Sequence, residues 1–374
     1  MKHYLLRAVC LFFMLAMTLI AASCSNSPQT PQPTPTATPM LTPTYTSTAT
    51  PRSATTPSVK EFPICTHTSS QTHPAISGNI VVWEDQRNSS KSQHDIYGYN
   101  ISTSTEFPIC TDKAEQFLPA ISGDTVVWED RCTPLGDIYG YNLTSGGKFQ
   151  ISHHYTAGIT PAAESPAISG DIIVWKDNRA GLGDIYCLYL SYNEEFSICN
   201  LPSIQSSPSI AGNIVVWVDD RSGHGDIYGY NCSSHQVPLH QEFPICANES
   251  KQDSPDISGD IVVWEDYRNG NADIYGYNIA IHTEFAVCVN SSSQEYPAIS
   301  DNIVVWQDKR NGNWDIYGYD LTTGIEFPIC TAAGNQEYPT ISGNTVVWQD
   351  DRNKNIHNND NIDIYGARLT FDNP

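Results

Sequence analysis

A Val-Trp pair returns seven times along this chain, with the indole at Trp83, Trp128, Trp175, Trp217, Trp264, Trp306 and Trp348. Successive spacings are 45, 47, 42, 47, 42 and 42 residues. A unit of this length cannot bury its apolar face alone, so neighbouring units must cover one another, which restricts the chain to repeat architectures. Each unit reads as four short strands. In the sixth they are "PAIS" at 297–300, "IVVW" at 303–306, "DIYGYD" at 315–320 and "EFPIC" at 326–330, with Gly-, Asn- and Asp-rich turns between. The "IVVW" run is apolar on both alternating faces, as a strand covered on both sides requires. No segment has helical periodicity.

Four strands per 42–47 residues is the period of a propeller blade. The expected fold is therefore all-β, a seven-bladed β-propeller of four-stranded blades. The array begins on a fourth-type strand, 61–65, and ends on a third-type strand, 363–369. Pairing of these two would close the ring and remove two free edges. The expected boundaries are 1–23 for a signal peptide, 24–60 for an anchor and linker, and 61–374 for the propeller.

Before the repeats, Lys2 and Arg7 precede an apolar run that ends in "AASC" at 21–24. That run reads as a secretory signal and is short for a membrane span. The small residues before Cys24 resemble a lipoprotein lipobox, although Ala21 stands where leucine is usual. The resemblance implies a cut before Cys24 and lipid on that residue; plain secretion with another cut is the alternative. Residues 25–60 contain 24 Pro, Thr or Ser and no acid, a composition that favours an extended tether.

Beyond residue 60 there are 15 basic and 41 acidic residues, a formal balance of −26. This disfavours nucleic acid and charge-driven contact with an anionic bilayer. It suits a well-solvated surface, basic partners or cations.

Within each unit an acid, an arginine and a second acid recur near the loop between second and third strands. Examples are Asp266, Arg268 and Asp273, and Asp308, Arg310 and Asp315. The spacing predicts that each arginine bridges its two aspartates as a loop clamp. The second unit is one residue short, with Asp130, Arg131 and Asp137. A constellation present seven times reads as structural, because catalysis needs one asymmetric set of groups. No cofactor is expected. Ca²⁺ is the one ion the carboxylates and asparagines would suit, although the spacing is not that of an EF-hand loop.

Ligand contacts are expected where the units differ. Trp314 is the one tryptophan outside the strand position, and His94, His224 and His357 lie in corresponding loops. The cysteines at 65, 110, 199, 246, 288 and 330 occupy one equivalent position, too far apart between units for disulfides. Cys187 and Cys199 flank one hairpin and are the candidates to meet.

The repeats "PAISGDTVVWED…DIYGYNLTSG" and "TEFPIC" resemble the propeller repeats of surface proteins of methanogenic archaea and some bacteria, over about residues 61–370. Those are distantly similar to TolB-type propellers, which usually have six blades. The resemblance implies the fold and an exposed location, facing the cell exterior or periplasm; members of the family mostly lack an assigned activity. The expected role is a tethered, monomeric binding module that recognises an envelope protein or glycan through one loop-bearing face. An extracellular enzyme acting on polysaccharide or peptide and an envelope scaffold are the alternatives. No "HExxH", "GxSxG" or Asp-box motif is present.

Overall fold

In the computed structural model, the described residues are 55–88, 93–132, 136–152, 163–179, 181–233, 242–354 and 361–371. Among them are seven antiparallel four-stranded sheets and no helix. The sheets stand around a common axis as blades, each running from an innermost first strand to an outer fourth strand. Blade 5, for example, comprises Gln252–Ser258, Ile261–Asp266, Asp273–Asn278 and Thr283–Cys288. First strands of consecutive blades lie side by side around the axis.

The ring closes as expected. Ser58–Cys65 pairs antiparallel with Asp363–Thr370, from Ser58 opposite Thr370 to Cys65 opposite Ile364. This outer strand begins three residues inside the segment read as tether. The ladder reaches Ser58 because its partner continues to Thr370, and every extra pair satisfies backbone groups that a shorter strand would leave at an edge.

The second strands form the core. All seven Val-Trp tryptophans are fully buried, together with the valines or isoleucines before them. Each sheet presents both faces to neighbouring sheets, so alternation has no solvent side to mark. The third strand's "YG" step has its own packing cause. At Gly276 a Cβ would come within 2.6 Å of the Phe285 ring on the outer strand.

The lower rim is stitched by a repeated bond. The turn amide after each first strand donates to a serine hydroxyl of the preceding blade, as in Gly123 N to Ser77 Oγ (3.0 Å) and Gly343 N to Ser300 Oγ (2.9 Å). Between blades 4 and 5 the serine is replaced by Ala211. There Asp256 makes the link, accepting from Ser209 Oγ of blade 4 and Ile299 N of blade 6, each at 2.8 Å.

Candidate functional site

The upper face carries the loops between second and third strands and the connections between blades. Its repeated clamp differs from the expected one. Arg268 Nη2 and Nε hold the buried Asp266 at 2.6 and 2.8 Å. Its second carboxylate is Glu284 of the outer strand, at 2.6 Å, and not Asp273. The guanidinium crosses the third strand to reach that glutamate, lying over the Tyr275 ring at 4.1 Å. Its Nη2 is also 3.5 Å from Cys246 Sγ of the preceding blade. Asp273 takes amides instead, from Asn269 at 2.7 Å and Asn271 at 3.3 Å. Blade 6 repeats this: Arg310 holds Asp308 and Glu326, while Asn311 and Asn313 hold Asp315. Burial raises the carboxyl pKa of Asp315, and the asparagine amides only partly offset it. The aspartates are joined further by the indole N–H of each buried tryptophan, at 2.8 to 3.2 Å.

In blade 2 the missing residue turns Arg131 outward, onto Glu129 (2.9 Å) and the Phe117 ring (4.5 Å). Lys148, which stands where other blades have the outer-strand glutamate, supplies the cation. Its ammonium lies 3.0 Å from Asp130, 2.6 Å from Asp112 and 4.5 Å from the Tyr139 centroid. Cys110, Asp112 and Asp130 form the one metal-like group among the described residues, and Lys148 reaches into it. Of the aspartates that prompted the Ca²⁺ expectation, those of blades 5 and 6 are engaged by Arg or Asn side chains and Asp130 of blade 2 by Lys148.

The expected loop contacts do not form one site. Trp314 is half-buried under Lys309 of its own hairpin, whose ammonium is 4.7 Å from the ring. His224 lies 4.0 Å from Asp226 in its own loop. His357 and Cys24, the residue expected to carry lipid, lie outside the described residues. Only His94 leads elsewhere. Its Nδ1 meets Glu84 at 3.1 Å, and the other oxygen of that carboxylate is 3.1 Å from Nδ1 of His73, on the innermost strand. The described cysteines are free thiols. Cys187 is opposite Phe196 in the ladder, while Cys199 is opposite Ile185, so the two do not face each other. Cys187 instead contacts Cys232 of blade 4.

His73 belongs to a ring that the loop-centred reading passed over. Every first strand is bulged where a non-glycine residue in the left-handed region precedes a proline: His73, Leu118, Ser165, Ser207, Ser254, Tyr296 and Tyr338, with φ between 48° and 52°. In blade 1 the ladder steps from Thr72–Glu84 to Ala75–Val82, so His73 and Pro74 together face Trp83. Several bulge amides are capped by the preceding blade's residue after tryptophan. Leu118 N donates to Glu84 (2.7 Å), Tyr296 N to Glu265 (2.8 Å) and Tyr338 N to Gln307 (3.0 Å).

The seven bulge residues line the upper mouth of the central channel, a cavity of about 390 Å³. The backbone is sevenfold, but its side chains are not. His73, Tyr338 and Tyr296 make an aromatic arc, with ring centroids 5.1 and 4.4 Å apart. Ser165, Ser207 and Ser254 form the opposite arc. Below the ring of bulge residues the cavity continues to Asp256 under the serine arc and to Ala298 and Thr340 under the tyrosines. The sequence signal was the residue before "P" in each repeat, which changes among His, Leu, Ser and Tyr while the proline itself is constant.

A ring of blades with a substituted channel mouth defines a β-propeller, here of seven blades. No protein-family model and no curated protein matches the chain. Solved structures share the fold. TolB from Acinetobacter baumannii is 14% identical, with a TM-score of 0.50 over 71% of this chain and 67% of that one. The β-propeller domain of the Trilobed protease from Pyrococcus furiosus is 13% identical, with a TM-score of 0.61 over 82% and 99%. Oligogalacturonate lyase from Vibrio parahaemolyticus is 12% identical, with a TM-score of 0.60 over 84% and 97%. The Pyrococcus domain is described as having an open velcro topology, whereas here the two terminal strands pair.

Proposed function

We propose that this chain is an exported, lipid-tethered binding propeller, anchored at Cys24, that takes its envelope ligand at the upper mouth of the channel. One observation carries the reading. A strand with the same bulged backbone in every blade presents four different side-chain types, His, Leu, Ser and Tyr, at one concave place, with three aromatic rings on one side. Identical positions suit a scaffold; divergent ones clustered in a cavity suit recognition. Tyr296 is 37% exposed, so a ligand entering from the upper face meets an aromatic surface already positioned. The Pro/Thr/Ser composition of residues 25–60 and the exposed location implied by the repeat resemblance support an exported, tethered propeller.

The test is capture from envelope extract and on a glycan array by the full chain. Replacing Tyr296 and Tyr338 together with alanine should reduce capture at least about tenfold, while Trp314→Ala leaves it unchanged. Loss with Trp314→Ala and retention without the tyrosines would return the site to the loops.

A further inference from the structure

The channel mouth also bears on what kind of group enters it. Among the first-strand residues two positions beyond the bulge, blades 1, 2, 3 and 6 have alanine, at 75, 120, 167 and 298. Blade 4 has Ser209, blade 7 Thr340, and blade 5 alone a carboxylate, Asp256. Asp256 lines the cavity at its deep end, on the strand of Ser254 and bonded to the next blade at Ile299. Its hydrogen-bond donors are neutral: the Ser209 hydroxyl on one oxygen and the Ile299 amide on the other. Among the described residues no lysine, arginine or histidine pairs with it. Burial pushes its pKa up, partly opposed by those hydrogen bonds, and no basic group contributes. A carboxylate in a cavity without a countercharge is costly until a cation arrives.

The aromatic arc that starts with Tyr296 on the next blade lines the same cavity and fits that cation. Ring faces attract ammonium groups, and the methylene stem of a lysine packs well on the same surface. Each Asp256 oxygen already accepts one bond, leaving single acceptor positions rather than a free fork. That favours a point-like ammonium over a bidentate guanidinium. A pocket near 390 Å³ is within the range that holds one such group with its stem. The acidic balance of −26 beyond residue 60 would steer a basic segment toward the protein.

Resting on the channel-mouth reading above, we propose that the seat binds a primary ammonium of a peptide, a lysine side chain or a free amino terminus, with Asp256 as its counter-ion and Tyr296 and Tyr338 as its wall. The test is calorimetric titration of the full chain with five short peptides: one lysine with a blocked terminus, the same peptide ε-acetylated, the same with arginine, a lysine-free peptide with a free amino terminus, and that last peptide with its terminus acetylated. The first or the fourth should bind, and which of them does identifies the source of the amine. Acetylation of the lysine, or of the free terminus, should weaken binding at least about tenfold, and arginine should bind more weakly than lysine. Asp256→Ala, which restores the residue of four other blades, should cause a similar loss with the melting transition retained. If that variant does not fold, Tyr338→Leu and the acetylated peptides decide. Equal binding after acetylation, equal binding by folded Asp256→Ala, or no binding of either amine at millimolar peptide overturns the assignment. Tyrosine-dependent capture of a glycan with no peptide binding would overturn the amine and leave the mouth as the seat. Capture indifferent to both tyrosines would remove the seat itself.

Discussion

Arg268 shows how one side chain joins three strands and two blades. It holds a buried aspartate, crosses a tyrosine ring, reaches an outer-strand glutamate and touches the neighbouring blade's cysteine. Removing it leaves Asp266 buried without a cation, a loss of about 3–5 kcal/mol by the usual cost of breaking such a pair. Arg268→Met should therefore lower the unfolding free energy by roughly that amount in denaturant titration, and Arg131→Met by less, because the Arg131 side chain is largely in water although its partner Glu129 is buried. Lys148→Met should behave like the former, because Lys148 takes the clamp's place in blade 2. The thiols give a second check at this scale. Burial pushes Cys65, Cys199, Cys246 and Cys330 up to about 12, and Cys132 is the exposed cysteine among those described. Brief alkylation of native protein near pH 8 should label Cys132 ahead of the other described cysteines, as read by peptide mass spectrometry. The clamp was half legible in the sequence. The Asp-x-Arg step is local, so it could be read from spacing. Glu284 is 16 residues from Arg268 and meets it only once the third strand lies between them; its recurrence as Glu61, Glu106, Glu195, Glu242 and Glu326 was the available signal.

The bulged first strand is the element that turns a repeat into a site. Holding a non-glycine residue at φ near 50° costs about 1–3 kcal/mol, so the surrounding structure must enforce it. The following proline, the lost ladder position and the caps from Glu84, Glu265 and Gln307 do so. The caps also set a pH dependence. Burial opposes the charge of Glu84, but hydrogen bonds from His73, His94 and Leu118 N outweigh it and hold its pKa down to about 2, from 4.5. A depressed folded-state pKa gives stability that is present above about 4.5 and lost as pH falls through about 2, on the order of 3 kcal/mol. Glu265 and Asp256 shift the opposite way, chiefly through burial. They bind protons more readily folded than unfolded, so they weaken the fold as pH rises above the ordinary carboxylate range. The melting temperature should therefore peak at mildly acidic pH, and Glu84→Gln should flatten the acid limb below about pH 4.5. A profile with the wild-type acid limb intact in Glu84→Gln would contradict this assignment. The strand type was readable from "PAIS", yet the bulge was not, because its cause is a cap from the neighbouring blade 31 to 34 residues earlier in the chain.

At the scale of the molecule, the ring was the most legible feature, since seven copies, their period and the split terminal blade all stand in the sequence. Closure makes a prediction of its own. Removing residues 1–65 deletes the outer strand of blade 7 and leaves Asp363–Thr370 as an open edge. Such a chain should melt earlier and self-associate in light scattering, because an unpaired edge templates pairing with another copy. The position of the ligand seat was not legible to the same degree, because loops usually carry recognition and here the divergence sits on the innermost strand. Recognition by this propeller stands on that seat, and a photo-crosslinking side chain tests it directly. Placed at Tyr338 in the full chain and irradiated in envelope extract, it should yield a discrete adduct that Tyr296→Ala weakens, while the same group at Trp314 yields none. Adducts at Trp314 with none at Tyr338 would contradict the account.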